Sequence, residues 1–375
     1  MALKFSDGFD LYTTIQDMDD TRGYIIENSG ARMSIATTAG KYGGGALSTA
    51  DGTADSVTVN IGSGLSEGNT LCISFLFRTA SATKPSGFVY MAGVGSSVND
   101  DTGGDLNNDL SIGVPTIGLI SDGRVVIHRT GNNGGSYQGV VDINVCDGLW
   151  HHIEAAFKVD ASTGISRLVV DGVESLQSIT SGDTVGVVPM SDKRLDRVIF
   201  SSSSAQDVVY YFDDVIAYDD ISSGIAGDLT YTSNFPLGEV RIETIQPNGV
   251  GTNSDWTPTS GDNYTNVDED VADDDTTIVA TGTATDLDTY AFSNLSGTPS
   301  SIYGVMIGSV GKASPGATTG IKHYTLSSAA TDESAEITLI GAYQFNQTFV
   351  GQDPNTTAAW TEAGVNAAEF GIEKQ

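Results

Sequence analysis

Residues Gly148 to Val173, GLWHHIEAAFKVDASTGISRLVVDGV, read as two antiparallel strands joined by a tight turn. Ile153, Ala155, Phe157 and Val159 alternate with Glu154 and Lys158, so one buried face and one solvent face are predicted. Asp160-Ala161-Ser162-Thr163-Gly164 has turn chemistry: Asp and Ser bond nearby backbone, and Gly tolerates positive φ. Asp171-Gly172 ends the second strand with another tight-turn pair.

The pattern extends in both directions. Val57–Ile61, Leu71–Arg78, Gly87–Val94, Leu110–Ile120, Arg124–Arg129, Tyr137–Asn144, Arg197–Phe200 and Val208–Tyr218 read as strands, with a hairpin turn at Ser121-Asp122-Gly123. Asn99–Asn108 is a polar loop, and Gly224–Phe235 reads as a linker. Leu237–Ile245 is expected to open a second set of strands. These are Thr276–Ala280, Asp288–Phe292, Ser301–Val310, Ile321–Leu326, Glu336–Ala342, Gln344–Phe349 and Glu369–Glu373. Thr357–Ala368 carries the one helix-like spacing. The expectation is an all-β chain of two β-sandwich (jelly-roll) domains, 1–222 and 236–375, joined by a linker at 223–235. The second is smaller, with at most one short helix.

Composition narrows the function. The 375 residues hold 48 acids against 17 bases, a formal charge of −31. Such a surface repels nucleic acid and anionic membranes, so neither is expected as a partner. No apolar run approaches the ~20 residues that span a bilayer, so no membrane insertion is expected. The opening Met1-Ala2-Leu3-Lys4-Phe5 has no secretory pattern, and synthesis in a cytoplasm is expected. Cys72 and Cys146 sit in or beside strands and are expected as buried thiols, able to pair only if their strands adjoin.

Two resemblances rest on motifs. Trp150-His151-His152-Ile153, followed by Leu168-Val169-Val170-Asp171-Gly172 and by Tyr211 to Tyr218 (YFDDVIAY), resembles the laminin-G/concanavalin-A-like lectin fold. That resemblance implies a jelly-roll first domain. FDLYTT near the start resembles a family of phage and prophage virion proteins. So do FDDVIAYDD, LGEVRIETIQPNGVGTNSDWTP, NYTNVDED, DTYAFSNL and AAWTEAGVNAAEFGIE. This second resemblance implies a virion structural protein, assembled in the host cytoplasm, whose partners are other virion proteins and copies of itself. A trimer is the favoured oligomer, and a tail position is favoured over capsid decoration or a head fibre.

Catalytic signatures are absent from the sequence. Glycoside hydrolysis needs two carboxylates flanking the bond; Asp213 and Asp214 are adjacent in a strand and are expected to point to opposite faces. By the same rule His151 shares the apolar face and bonds within the sandwich, while His152 faces solvent. Two histidines so placed do not make a zinc site. The chain is therefore read as non-enzymatic, with a glycan-cleaving enzyme on the same fold as the rival. Tyr137, Trp256 and Tyr264, in or near loops, are the candidate carbohydrate-binding residues for a host-surface glycan. No cofactor is expected, with Ca²⁺ as an alternative at the loop from Asp262 to Asp275, which holds seven acids and no base.

Overall fold

A computed structural model describes residues 2–27, 31–50, 55–61, 70–95, 116–128, 137–176, 179–182, 195–202, 208–219 and 235–375. The predicted polar loop at 99–108 and most of the predicted linker at 223–235 lie outside them. The chain forms two compact units. The first takes in Met1–Asp19, Tyr24–Ser223 and Ser233–Ile242; the second takes in Asp20–Gly23, Gly224–Thr232 and Glu243–Gln375.

Strands of the first unit are β1 (Ala2–Asp7), β2 (Ile25–Glu27), β3 (Met33–Ile35), β4 (Leu47–Thr49), β5 (Ser56–Asn60), β6 (Leu71–Thr79), β7 (Val89–Gly95) and β8 (Thr116–Leu119). They continue with β9 (Arg124–His128), β10 (Tyr137–Asn144), β11 (His151–Lys158), β12 (Gly164–Val170), β13 (Val173–Glu174), β14 (Ile179–Gly182), β15 (Arg197–Ser201) and β16 (Tyr210–Asp219). One sheet runs β13-β12-β11-β6-β16-β4-β3, with β1 on β16 and β14 on β12; the other runs β10-β9-β8-β7-β15-β5-β2. Every pairing is antiparallel, as sequential hairpins and returning strands require.

Alternation explains why these two sheets stack. Ile73, Phe75 and Phe77 of β6, Ile153 and Phe157 of β11, and Phe212 of β16 face Met91 of β7, Ile127 of β9 and Phe200 of β15 across one core. Phe200 sits edge-on to Phe75 at 6.1 Å and tilts against Phe212 at 4.9 Å. Such pairs add to the area buried by each ring. Cys72 and Cys146 are both buried, and neither is in a disulfide.

The expected solvent face of β11 is not exposed. His152 and Glu154 are both buried, because residues 235–242 lie over them. The sequence pattern predicts these residues as the linker's end and the first strand of the second domain. They form no strand; they belong to the first unit and act as a strap on its outer face. Period-two alternation reports only that a strand has two faces, and both can be covered.

A helix was also missed. α1 (Ile15–Arg22) begins with a reciprocal cap: the Asp17 amide donates to Thr14 Oγ1 at 3.3 Å, and the Thr14 amide donates to the Asp17 carboxylate at 2.7 Å. Met18 anchors it in the core.

The second unit has β17 (Pro247–Ser254), β18 (Thr257–Pro258), β19 (Val279–Ala280), β20 (Leu287–Phe292), β21 (Val305–Gly311), β22 (Thr319–Ser327), β23 (Ala330–Glu333), β24 (Ile337–Leu339), β25 (Gln344–Val350) and β26 (Glu369–Lys374). Its main sheet runs β17-β20-β26-β22-β23, with β24 on β22. The β21–β25 ribbon supplies Ile307 and Val350 to a core with Phe370 of β26. The helix expected in 357–368 is present as α2 (Glu362–Ala367), capped by the Gly364 amide donating to Thr361 Oγ1 at 3.0 Å. The chain is thus all-β, and its first unit is a sandwich of two antiparallel sheets around one core.

Candidate functional site

On β7, Val89 and Met91 enter the core, so Tyr90 points outward; on β9, Ile127 enters and His128 points outward. The register sets Tyr137 of β10 opposite His128. Phe88, just before β7, completes the group. Its ring stacks on Tyr137 with centroids 6.3 Å apart and planes 19° from parallel. It also meets Tyr90 edge-on at 4.7 Å and His128 at 5.1 Å. Gly118 makes this possible: a Cβ there would lie 2.2 Å from Phe88 Cζ, so only glycine lets the ring cross β8. Tyr137 is 38% exposed and presents the accessible edge of the cluster.

The exposed Tyr137 ring and its hydroxyl are backed by the half-buried Phe88 and Tyr90 and the buried His128; such a ring can hold a sugar by stacking and its hydroxyl can orient it by a hydrogen bond. Sequence reasoning singled out Tyr137 but not the rings packed against it, Phe88, Tyr90 and His128. Tyr90 and His128 carried a signal: each is a polar-edged ring at the outward phase of an otherwise apolar strand.

The other two candidates lie in the second unit. Trp256 donates from Nε1 to the Asp286 carbonyl at 3.1 Å and packs beside Ala313, Ile321 and Leu339. Tyr264 is half-buried in the short 3₁₀ turn Asn263–Asn266, whose Asn263 Nδ2 donates to the Trp256 carbonyl. In the acidic loop, Glu269 and Asp273 accept from Thr277, Asp270 accepts from Gln246, and Asp275 accepts from Lys312 and Tyr343. These carboxylates are thus committed to protein donors.

A second polar group lies on the outer face of the sheet containing β11 and β16, beneath the strap. Glu154 accepts from the Leu237 amide at 2.7 Å, the Gly238 amide at 3.1 Å and the Tyr218 hydroxyl at 3.3 Å. Burial outweighs these donors and pushes its carboxyl up to about 7. His152 Nε2 lies 2.8 Å from Ser74 Oγ, and burial pushes the ring down to about 4, so it is neutral. This corrects the expected exposure of His152. His151 is held between Asp171 at 2.7 Å and Asp147 at 3.0 Å, as an internally bonded side chain should be.

Asp213 and Asp214 also depart from expectation. The register with β6 slips between Asp213 and Ile216, and Asp214 has φ +46°. Phe212 and Val215 both enter the core, so this bulge turns the two intervening carboxylates to the same, outer face. Asp213 accepts from the Lys41 amide at 2.7 Å and the Asp214 amide at 2.8 Å; Asp214 Oδ1 accepts from the Ile242 amide at 2.8 Å. Burial pushes Asp213 up to about 6. Burial and then the Asp213 charge push Asp214 up to about 8. Above them Glu239 of the strap takes the Lys41 ammonium and the Tyr42 hydroxyl; against its burial, these hold Glu239 below its ordinary value.

No family model matches the chain, and no curated protein matches it. Solved structures are similar to a little over half of it. A marine PL-14 alginate lyase from Aplysia kurodai is 10% identical over 58% of this chain and 100% of its own, with TM-score 0.44. The carbohydrate recognition domain of Emp46p in its potassium-bound form is 13% identical over 58% and 98%, with TM-score 0.39. The cellulose-induced protein Cip1 is 13% identical over 57% and 96%, with TM-score 0.36. All three are similar to this chain in fold.

Proposed function

We propose that the first unit is a non-enzymatic glycan-recognition module displayed on a bacteriophage particle, on the tail, where it contributes to attachment to the host surface. The observation that supports the binding reading is the exposed Tyr137 ring stacked on Phe88, with Tyr90 and the buried His128 packed behind it. The virion reading rests on the resemblance of sequence motifs in both units to phage structural proteins. Capsid decoration is the rival position, and a homotrimer is the assembly that would multiply a weak site.

Affinity electrophoresis of the full chain through gels containing host surface polysaccharide tests the binding. Retardation by at least one polysaccharide is expected, and Tyr137→Ala should weaken it about tenfold or more, the scale of losing one stacked ring. Unchanged retardation in Tyr137→Ala would move the site elsewhere. Release of soluble oligosaccharide during the same incubation would sink the non-enzymatic reading. Labelling of purified particles with antibody to the chain separates tail from capsid, and a chain missing from particles would end the virion reading.

A further inference from the structure

We propose that the first unit has a second ligand site, for the carboxylate of an acidic sugar, built on the guanidinium of Arg78 between Trp150 and Tyr211. The place follows from strand order. β6 lies between β11 and β16. Ile73, Phe75 and Phe77 of β6 enter the core, so Arg78 points outward. Tyr211 of β16 is its cross-strand partner, and Trp150 stands one residue before His151, which pairs with Phe77. The two rings therefore flank the arginine from opposite sides. Its guanidinium carbon lies 4.9 Å from the Trp150 ring centre and 4.8 Å from that of Tyr211. All three side chains are half-buried.

The decisive observation is that this cation has no anion. The chain holds 48 acids against 17 bases, yet among the described residues no carboxylate pairs with Arg78. Its one protein hydrogen bond runs from Nη2 to the Ala39 carbonyl at 3.4 Å, and Nε is buried with no partner. The next acid along β16, Asp213, accepts the amides of Lys41 and Asp214 instead. Trp150 Nε1 and the Tyr211 hydroxyl likewise have no protein partner among the described residues. Donors thus gather here without an acceptor. Cation–π contacts on two flanks fix the guanidinium and leave its N–H edge for hydrogen bonding. That edge matches a carboxylate, whose two oxygens accept parallel N–H bonds. A carboxylate suits the place better than a phosphate: it is planar, as a gap between two rings requires, and its single charge is repelled less by a chain of charge −31. That the carboxylate belongs to a sugar rests on the recognition role proposed above. The site itself does not, since Tyr137 of β10 stands in the other sheet.

The test uses the full chain in about 0.15 M salt, where repulsion between charges more than about 8 Å apart is largely screened. Oligosaccharides carrying galacturonate, glucuronate or N-acetylneuraminate are immobilised, each beside its methyl ester. At least one acid is expected to bind, and its ester to bind about tenfold or more weakly, the scale of a hydrogen bond to a charged group. Arg78→Gln should remove this preference, and Arg78→Lys, which keeps the charge but not the planar fork, should lose most of it. Tyr137→Ala should leave it unchanged, which separates this site from the aromatic face of the other sheet. Trp150 is the single tryptophan of the first unit. The acid should therefore also change the tryptophan fluorescence of the wild-type chain, and Trp150→Phe should remove that change. This readout does not depend on an arginine variant folding. The proposal is overturned if no acid binds better than its ester, if Arg78→Gln binds the acid as the wild type does, or if the bound acid leaves the fluorescence unchanged. Loss of the preference in Tyr137→Ala alone would also overturn it, while leaving the recognition role of that ring standing.

Discussion

Glu154 shows how one side chain converts a sheet surface into an interior. Its two oxygens collect two strap amides and a tyrosine hydroxyl in a place no water reaches. Glu154→Gln keeps the shape but turns one acceptor into a donor facing another donor. A loss of about 1–3 kcal/mol is expected, the cost of a buried unsatisfied polar group, and urea unfolding of the two proteins measures it. Phe200 is the corresponding apolar case. It meets Phe9, Phe75 and Phe212 between the sheets, and Phe200→Ala should cost about 3–5 kcal/mol through the cavity it leaves. An unchanged urea midpoint in Phe200→Ala would mean that the two sheets do not depend on this contact.

At the scale of elements, the strap completes the first unit. Phe235 lies under the Arg167 guanidinium at 4.7 Å, and its carbonyl accepts from Arg167 Nη1 at 3.2 Å. Further along, Leu237, Gly238 and Ile242 donate their amides to two buried acids. A chain ending at residue 242 should therefore fold as a unit, and one ending at residue 222 should melt at least several degrees lower. Glu154 and Asp214 would then lose their amide donors and their cover. Calorimetry of the two truncations decides this; equal melting temperatures would show that the strap is dispensable.

The whole molecule carries a charge of −31, and its buried ionisable groups add a pH dependence of determinable sign. Glu154, Asp213 and Asp214 have carboxyls raised to about 7, 6 and 8. The folded chain thus binds more protons than the unfolded one, and these groups lower stability as pH climbs from about 4 to about 8. His152 and His323 are depressed to about 4 by burial and give the opposite slope, but only up to their ordinary value of 6.5. Above that point the acids act alone. In EDTA the melting temperature should fall between pH 6.5 and about 8.5, and Asp214→Asn should flatten the fall. A melting temperature that rises over this interval would contradict the burial of these carboxylates.

Short-range pattern was enough for the central strands of the first unit, but not for β1, β2 or β17, and the strand it predicted at 237–245 does not form. A β-hairpin is written in a few consecutive residues: Ile153, Ala155 and Phe157 alternate, Asp160 caps the turn by accepting from Ser162 and Thr163, and the pairing follows. The cap of α1 is equally legible, since Thr14 and Asp17 stand at the spacing such caps need. Tyr137 was legible as a ring near a loop. What only the tertiary structure decided is which surfaces meet. Whether the second face of β11 is wet depended on residues 235–242, more than seventy positions away from it. Whether Asp213 and Asp214 share a face depended on a bulge set where β1 and β4 both compete for the edge of β16. Whether Phe88, Tyr90, His128 and Tyr137 form one surface depended on the order in which four strands pair. Each of these is fixed by contacts between distant segments, whose energy belongs to no single window of sequence.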